Sequence, residues 1–221
     1  ASGGRMGTPP AFRSVAMPYA GYIAMRTDWE RDATYVGFDV GPIGFSHAHQ
    51  DKLNLILWAY GRMLLMDPGH GDYDAGDFSR WARDTFAHNT ALVDNRPQRR
   101  RWRKSVGFAP REPLTDYAFE TGEGWDCASG VYDGDYGRPG PSESYPYAEG
   151  GDFYKGWGKP AAHHRRIFFL HPDIVIVCDN LIPKDGQSHG YEVRWHVESA
   201  ETAERANVVT TRDKQLANLA I

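Results

Sequence analysis

Sulfur chemistry is almost missing from this chain. Cys127 and Cys178 are its only cysteines in 221 residues. They allow one bridge at most, which excludes a disulfide scaffold and leaves the redox compartment open. Long apolar runs are missing too. A membrane helix needs roughly 18–20 apolar residues, and the longest runs here, 55–60 and 174–178, have the length of buried strands. Basic charge is not in excess: 25 Lys and Arg stand against 29 Asp and Glu, a net charge of -4. Neither nucleic acid nor a membrane is therefore an expected partner, although a local basic patch remains compatible with that balance. No sustained helical period, internal repeat or low-complexity tract occurs. The chain opens ASGGRMGTPP, without an initiator Met or an apolar signal segment, and ends within what reads as a strand. Both ends are expected to be interior to a longer polypeptide, so a leader could lie outside it.

Turn formers and aromatics are plentiful: 24 Gly, 14 Pro and 13% aromatic residues. Between them lie short alternating, β-branched or aromatic runs at 22–25, 35–39, 53–59, 63–66, 89–93, 166–170, 174–178 and 191–197. Turn signals such as Asp67-Pro68-Gly69, Asp94-Asn95 and Asp185-Gly186 separate them. Many short strands at this spacing predict an all-β fold, an antiparallel β-sandwich of two large sheets with at most one or two short helices. Segment 77–85 (DFSRWARDT) is the one expected helix, with Asp77 as its N-cap. Residues 1–16 read as a linker or frayed lead-in and 17–221 as the sandwich. Segment 122–158, rich in Gly, Tyr, Asp and Pro, reads as long surface loops.

The chemistry concentrates between residues 41 and 98. Gly61 separates two apolar runs, which predicts a hairpin turning near Tyr60-Gly61-Arg62. That hairpin brings His49 and Asp67 toward one end of the sheet. Its register places Asp67 nearer Asn54 than His49, so segment 49–52 must bend back. If segment 47–49 is extended, alternation puts His47 and His49 on one face. Two imidazoles and a carboxylate suit zinc, and His88 is the natural further nitrogen. The expected ligand set is His49, Asp67 and His88, with His47 free beside it. The His-x-His pair alone equally describes a surface strand with two solvated histidines.

Segment 44–54 (GFSHAHQDKLN), followed by 59–69 (AYGRMLLMDPG), resembles the central motif of the heparinase II/III-like family. Tyr73, 85–90 (TFAHNT) and 93–98 (VDNRPQ) continue it in order, with weaker support at 164–170, 173–179 and 195–197. The resemblance spans roughly residues 18–200. It implies an N-terminal (α/α) toroid joined in the same polypeptide to a C-terminal antiparallel β-sandwich. It also implies cleavage of heparin, heparan sulfate, alginate or related uronate polymers. A single structural zinc ion on the histidines and aspartate matching His49, Asp67 and His88 comes with it. His47 corresponds to a histidine lining the catalytic cleft, and Tyr73 falls near a tyrosine used by alginate-cleaving members. The toroid, which carries the main catalytic Tyr and the Asn or His that neutralises the uronate, is not in this sequence. The fragment alone is therefore expected to be inactive. The family's theme of bacterial polysaccharide degradation suggests a periplasmic setting, with the cytoplasm as the alternative.

β-Elimination at a uronate removes the C5 proton and expels the C4 oxygen, so it needs a neutralised carboxylate, a base and an acid. His47 takes the base role and Tyr73 is its partner. Arg83, on the short helix, and Arg96 and Arg99, in a basic run reaching Lys104, are candidates for binding carboxylate or sulfate. For the basic run, ion pairing with acids elsewhere is the competing reading. Asp51 either orients a histidine or caps a turn. Two other functions remain open. A non-catalytic glycan-binding sandwich needs no toroid upstream. A cupin-type metalloprotein also uses His-x-His, but segment 51–54 (DKLN) lacks the Glu expected after the pair.

Overall fold

A computed structural model describes residues 7–43, 48–69, 76–100, 112–137 and 158–221. His47, Tyr73 and the basic residues 101–104 lie outside the described residues. Two antiparallel sheets dominate. The first has five strands in sequence order: β1 Val15–Met17, β2 Tyr22–Arg26, β3 Tyr35–Asp39, β4 Leu55–Ala59 and β5 Arg62–Leu65. The second has four, from β8 Tyr117–Gly122 through β9 Trp125–Tyr132 and β11 Ala161–Leu170 to β12 Ile174–Pro183 at its other edge. Three two-stranded pairs complete the set. They are β6 Ala91–Val93 with β13 Tyr191–Val193, β7 Gln98–Arg99 with β10 Asp135–Tyr136, and β14 Thr202–Arg205 with β15 Val208–Thr211. Among the described residues, no helix is long and apolar enough to cross a membrane.

The sheets pack face to face. Ile23, Met25, Val36, Phe38, Leu55 and Leu57 of the first share one core with Ala128, Ile167 and Phe169 of the second. Alternating burial in β4 and β9 is the period of a strand with one face inward. The packing is tight at Gly130, where an added Cβ would stand 2.6 Å from a Val40 methyl and 2.7 Å from a Leu53 methyl. The all-β sandwich expected from the sequence is therefore what forms.

Two local expectations change. Segment 125–132 is a central strand of the four-stranded sheet rather than loop. The helix spans Asp77–Ala82, and its N-cap is Gly76, not Asp77. Asp77 instead stands in the first turn, where its carboxylate complements the helix dipole and pairs with Arg80.

The turn after β6 is tied down electrostatically. Asp94 and Asn95 both adopt left-handed backbone, with φ of 52° and 55°. His189 bridges this turn to the loop after β12, with Nδ1 2.7 Å from Asp94 and Nε2 2.9 Å from Asp185. Hydrogen bonds to Asp185 and then Asp94 raise the His189 pKa above 6.5, and the same bonds lower both carboxyls. A raised histidine stabilises the fold below its unfolded pKa and loses that effect as pH climbs through the folded value. The lowered carboxyls contribute above about pH 4 and lose their effect in acid. The melting temperature of His189→Gln should therefore fall furthest below wild type between about pH 4 and 6.5. It should converge with wild type at higher pH. Equal gaps across the whole range would show that the imidazolium is not the stabilising species.

Candidate metal centre

Three separate segments deliver the site. His49 lies in the stretch ahead of β4, Asp67 just after β5, and His88 at the end of the 3-10 turn Thr85–Ala87. The β4–β5 hairpin turns at Tyr60 and Gly61, whose φ values of 54° and 80° suit a tight two-residue turn. A bulge between Leu57 and Trp58 shifts the register beyond the turn. As the hairpin argument required, Asp67 meets Asn54, whose Nδ2 donates to Oδ2 at 2.8 Å. Segment 49–52 bends back through Leu53, which sits at φ 68°. His49 is not in a strand, so alternation does not fix which way it faces relative to His47.

One potential ligand atom from each of His49, Asp67 and His88 lies within 4.8 Å of the others. The two imidazole centroids are 5.2 Å apart. Asp67 Oδ2 is 2.8 Å from His88 Nδ1, and Oδ1 accepts the Gly69 N–H at 2.9 Å. Burial alone would raise the Asp67 carboxyl. The His88 hydrogen bond and charge, the Gly69 N–H and His49 together bring it below the ordinary range. The carboxylate is thus anionic, as a ligand must be. His88 is fully buried, and its Nε2 has no hydrogen-bond partner. An imidazole shut away with one idle nitrogen is costly in a purely structural role. Ligand atoms on a tetrahedral ion with bonds of about 2.1 Å are roughly 3.4 Å apart, so modest side-chain closure would complete the set. These residues fit a divalent cation that takes nitrogen and oxygen ligands.

The frame around the site was hidden in the sequence. Asn89, fully buried, donates from Nδ2 to Leu55 O at 2.7 Å and Met66 O at 2.9 Å. Its Oδ1 accepts the His196 N–H at 2.6 Å. One amide therefore joins β4, the residue after β5 and the segment at His196. Gln98 gives its amide to both backbone groups of Lys52, and Gln50 does the same for Arg100. Each primary amide imitates a neighbouring strand and holds segment 49–52 in place. His196 lies close enough to feel His88; burial, then the His88 charge, lower its pKa.

The expected anion-binding arginines have different surroundings. Arg96 is exposed in the turn after β6, and Arg83 caps the helix C-terminus, where its carbonyl accepts the Gln50 N–H at 2.9 Å. Arg99 is only 5% exposed, and its guanidinium binds Asp84. Arg100 is buried with Asp51. For Arg99 and Arg100 the ion-pair reading of the basic run describes what is seen. Among the described residues the Asp51 carboxylate pairs with Arg100, while its carbonyl accepts the Asn54 N–H.

Comparison with known proteins agrees with this architecture. Heparin-sulfate lyases of Bacteroides stercoris and Pedobacter heparinus are 30% and 32% identical over 100 and 99 residues. Each alignment spans 43% of this chain and 15% of the relative. The heparan sulfate lyase HepC structure from Pedobacter heparinus superposes with a TM-score of 0.71 at 22% identity, covering 98% of this chain and 30% of that one. A heparinase III structure gives 0.72 at 19% identity, covering 98% and 29%. At such identities the superpositions show the shared fold. Residues 9–220 match the family described as heparinase II/III-like, C-terminal. The chain belongs to that heparinase II/III-like C-terminal family.

Proposed function

We propose that this chain is the sandwich portion of a lyase that cleaves uronate-containing acidic polysaccharide by β-elimination, and that His49, Asp67 and His88 hold a structural zinc ion. The observation that carries the reading is the convergence of those three side chains two residues from His47, in a chain of this family. Zinc is favoured because two imidazoles and a carboxylate leave a fourth position for water or another ligand. Elimination needs no metal-activated water. When bound, the ion supplies a cross-link between the hairpin end, the 3-10 turn and the bend at 49–52.

The organic steps fall to side chains. In this reading His47 accepts the C5 proton and Tyr73 assists at the leaving C4 oxygen. Exposed Arg96, with Arg83, gives the polymer's anions a basic border. An N-terminal toroid supplies the group that neutralises the reacting carboxylate. In this reading the ligand frame orders His49, two residues from His47 in the sequence, and the toroid completes the cleft.

The test uses the full-length protein with heparan and alginate oligosaccharides. Each elimination creates an unsaturated uronate visible by ultraviolet absorbance. His47→Ala should lower kcat by about a hundredfold or more. Chelation should lower the melting temperature while protein that stays folded keeps its turnover. Turnover lost at once, without any fall in melting temperature, would assign the metal to the chemistry. Absence of unsaturated product from every uronate polymer would remove the lyase reading and favour a glycan-binding sandwich.

A further inference from the structure

At the other end of β4 from Asn54, a second feature faces outward. Backbone register aligns Arg26 with Tyr35, and Tyr35 with Trp58, in one row across β2, β3 and β4. These three residues, with Trp29, Asp28 and Glu30 at the rim, line a cleft of about 300 Å³. Gly37 lies in the next row, level with Ile56. A Cβ there would stand 2.8 Å from Ile56 and 3.0 Å from the Tyr35 hydroxyl, so the missing side chain is what lets both settle.

Its aromatic walls are pinned before any ligand arrives. Trp29 Nε1 donates to Phe12 O and Trp58 Nε1 to Arg31 O, each at 2.9 Å. With the indole N–H groups already used, the ring faces are what remain. Arg26 holds its guanidinium carbon 4.0 Å from the Trp29 ring centre and 4.9 Å from that of Tyr35. Its Nε is buried without a hydrogen-bond partner, and no carboxylate among the described residues pairs with it. An arginine held against two rings has lost part of its hydration, and this one keeps at least one N–H donor, at Nε, without a partner. That is the arrangement that receives a planar anion through two parallel hydrogen bonds.

We infer that this cleft is a second saccharide subsite, separate from the metal centre, that binds one uronate residue of an acidic glycan. The choice of class rests on complementarity. A uronate pyranose offers a single carboxylate for Arg26, an apolar C–H face for the aromatic rings, and hydroxyls for the acceptors Asp28 and Glu30. Those two acids oppose a densely sulfated stretch. The cleft sits at the lower end of the size range of ligand pockets, which start at roughly 300 Å³. It therefore grips one sugar while the rest of the chain extends beyond it. The substrate class rests on the lyase reading; the cleft's affinity for a uronate does not.

The experiment is calorimetric titration of the 221-residue chain with an unsulfated glucuronate-containing tetrasaccharide and with its carboxyl-reduced neutral analogue. Thermal melts confirm the fold of each variant. Arg26→Gln should weaken the acidic probe by about tenfold or more, while the neutral analogue, bound weakly by wild type, is unchanged. Trp58→Ala should weaken both probes. Asp67→Asn, in the metal centre, should weaken neither. No heat with wild type, or affinity for the acidic probe within twofold in both folded variants, overturns the subsite. A second arm separates this failure from failure of the lyase reading. In the full-length enzyme, Arg26→Gln should raise KM for the long polymer and leave kcat unchanged. A protein that makes no unsaturated product yet binds the probe through Arg26 loses the lyase reading and keeps the subsite.

Discussion

Arg165→Met is expected to lower the free energy of unfolding by about 3–5 kcal/mol. Arg165 is 1% exposed, in the middle of β11. Its Nε and Nη2 bind the two carboxylate oxygens of Asp179 at 2.7 and 3.0 Å. Its Nη1 donates to Leu53 O at 2.7 Å and to Asn89 O. His163 joins the same carboxylate at 2.6 Å. One guanidinium thus ties the four-stranded sheet to the bend before β4 and to the residue after His88. Burial would raise the Asp179 carboxyl, but His163 and Arg165 together bring it far below the ordinary range. That lowered pKa adds stability above about pH 4, lost as pH falls toward the folded value.

Methionine fills the space but leaves a half-buried carboxylate and two backbone carbonyls without their donor. Lysine should not rescue, because one ammonium cannot serve Asp179 through two parallel bonds and reach both carbonyls. Arg165→Met combined with Asp179→Leu should recover part of the loss, since no charge is then stranded. Urea unfolding measures all three variants. If Arg165→Lys unfolds within about 1 kcal/mol of wild type, the fork geometry is not what stabilises the junction.

What could be read from the sequence followed the strength of local signals. The β4–β5 hairpin was legible because Gly61 interrupts two apolar runs, and its register then placed Asp67 beside Asn54. The clustering of His49, Asp67 and His88 was legible because they stand in short recognisable blocks. Strand β9 was not legible. Its inward positions are Asp126, Ala128, Gly130 and Tyr132, which give period-two burial without period-two hydrophobicity. Gly130 is small because Val40 and Leu53 lie against it, and Asp126 is tolerated because Ser14 and His171 bind its carboxylate. Neither partner is near it in the sequence. The inward charge of β11 was hidden for the same reason, since Asp179, which binds Arg165 and His163, is not beside them in the sequence. For basic residues 99 and 100 the sequence left anion binding and ion pairing both open, because Asp84 and Asp51, which bind them, lie elsewhere in the chain. Burial of paired charge is a tertiary property, and the one-dimensional pattern carries no trace of it.

Arg100 is where that buried pairing reaches the candidate metal centre, and if His49, Asp67 and His88 hold zinc as proposed, Arg100→Ala should weaken its binding by about 10–100-fold. The side chain donates to Gly41 O at 3.2 Å, to His49 O and to the Asp51 carboxylate. It therefore ties residue 41 to residue 49. Without it, His49 loses the contact that fixes its backbone, and the ligand must be ordered by the metal itself. Two carboxylates also lose their cation. Burial first, and then Asp51, push the Asp39 pKa up to about 7, against Arg100, the Gly41 N–H and Lys52. A carboxyl raised in the folded state costs stability as pH climbs from its unfolded value, about 4, to its folded value, because the unfolded chain ionises first, and the cost is complete above that. Removing Arg100 enlarges that cost, so the stability gap between Arg100→Ala and wild type should widen from mildly acidic to alkaline pH. Zinc titration at a temperature where both proteins are folded measures the affinity, and urea midpoints across pH measure the gap. Affinity within about twofold of wild type would show that His49 does not depend on this guanidinium for its position. A gap that narrows toward alkaline pH would show that Asp39 and Asp51 do not depend on this guanidinium.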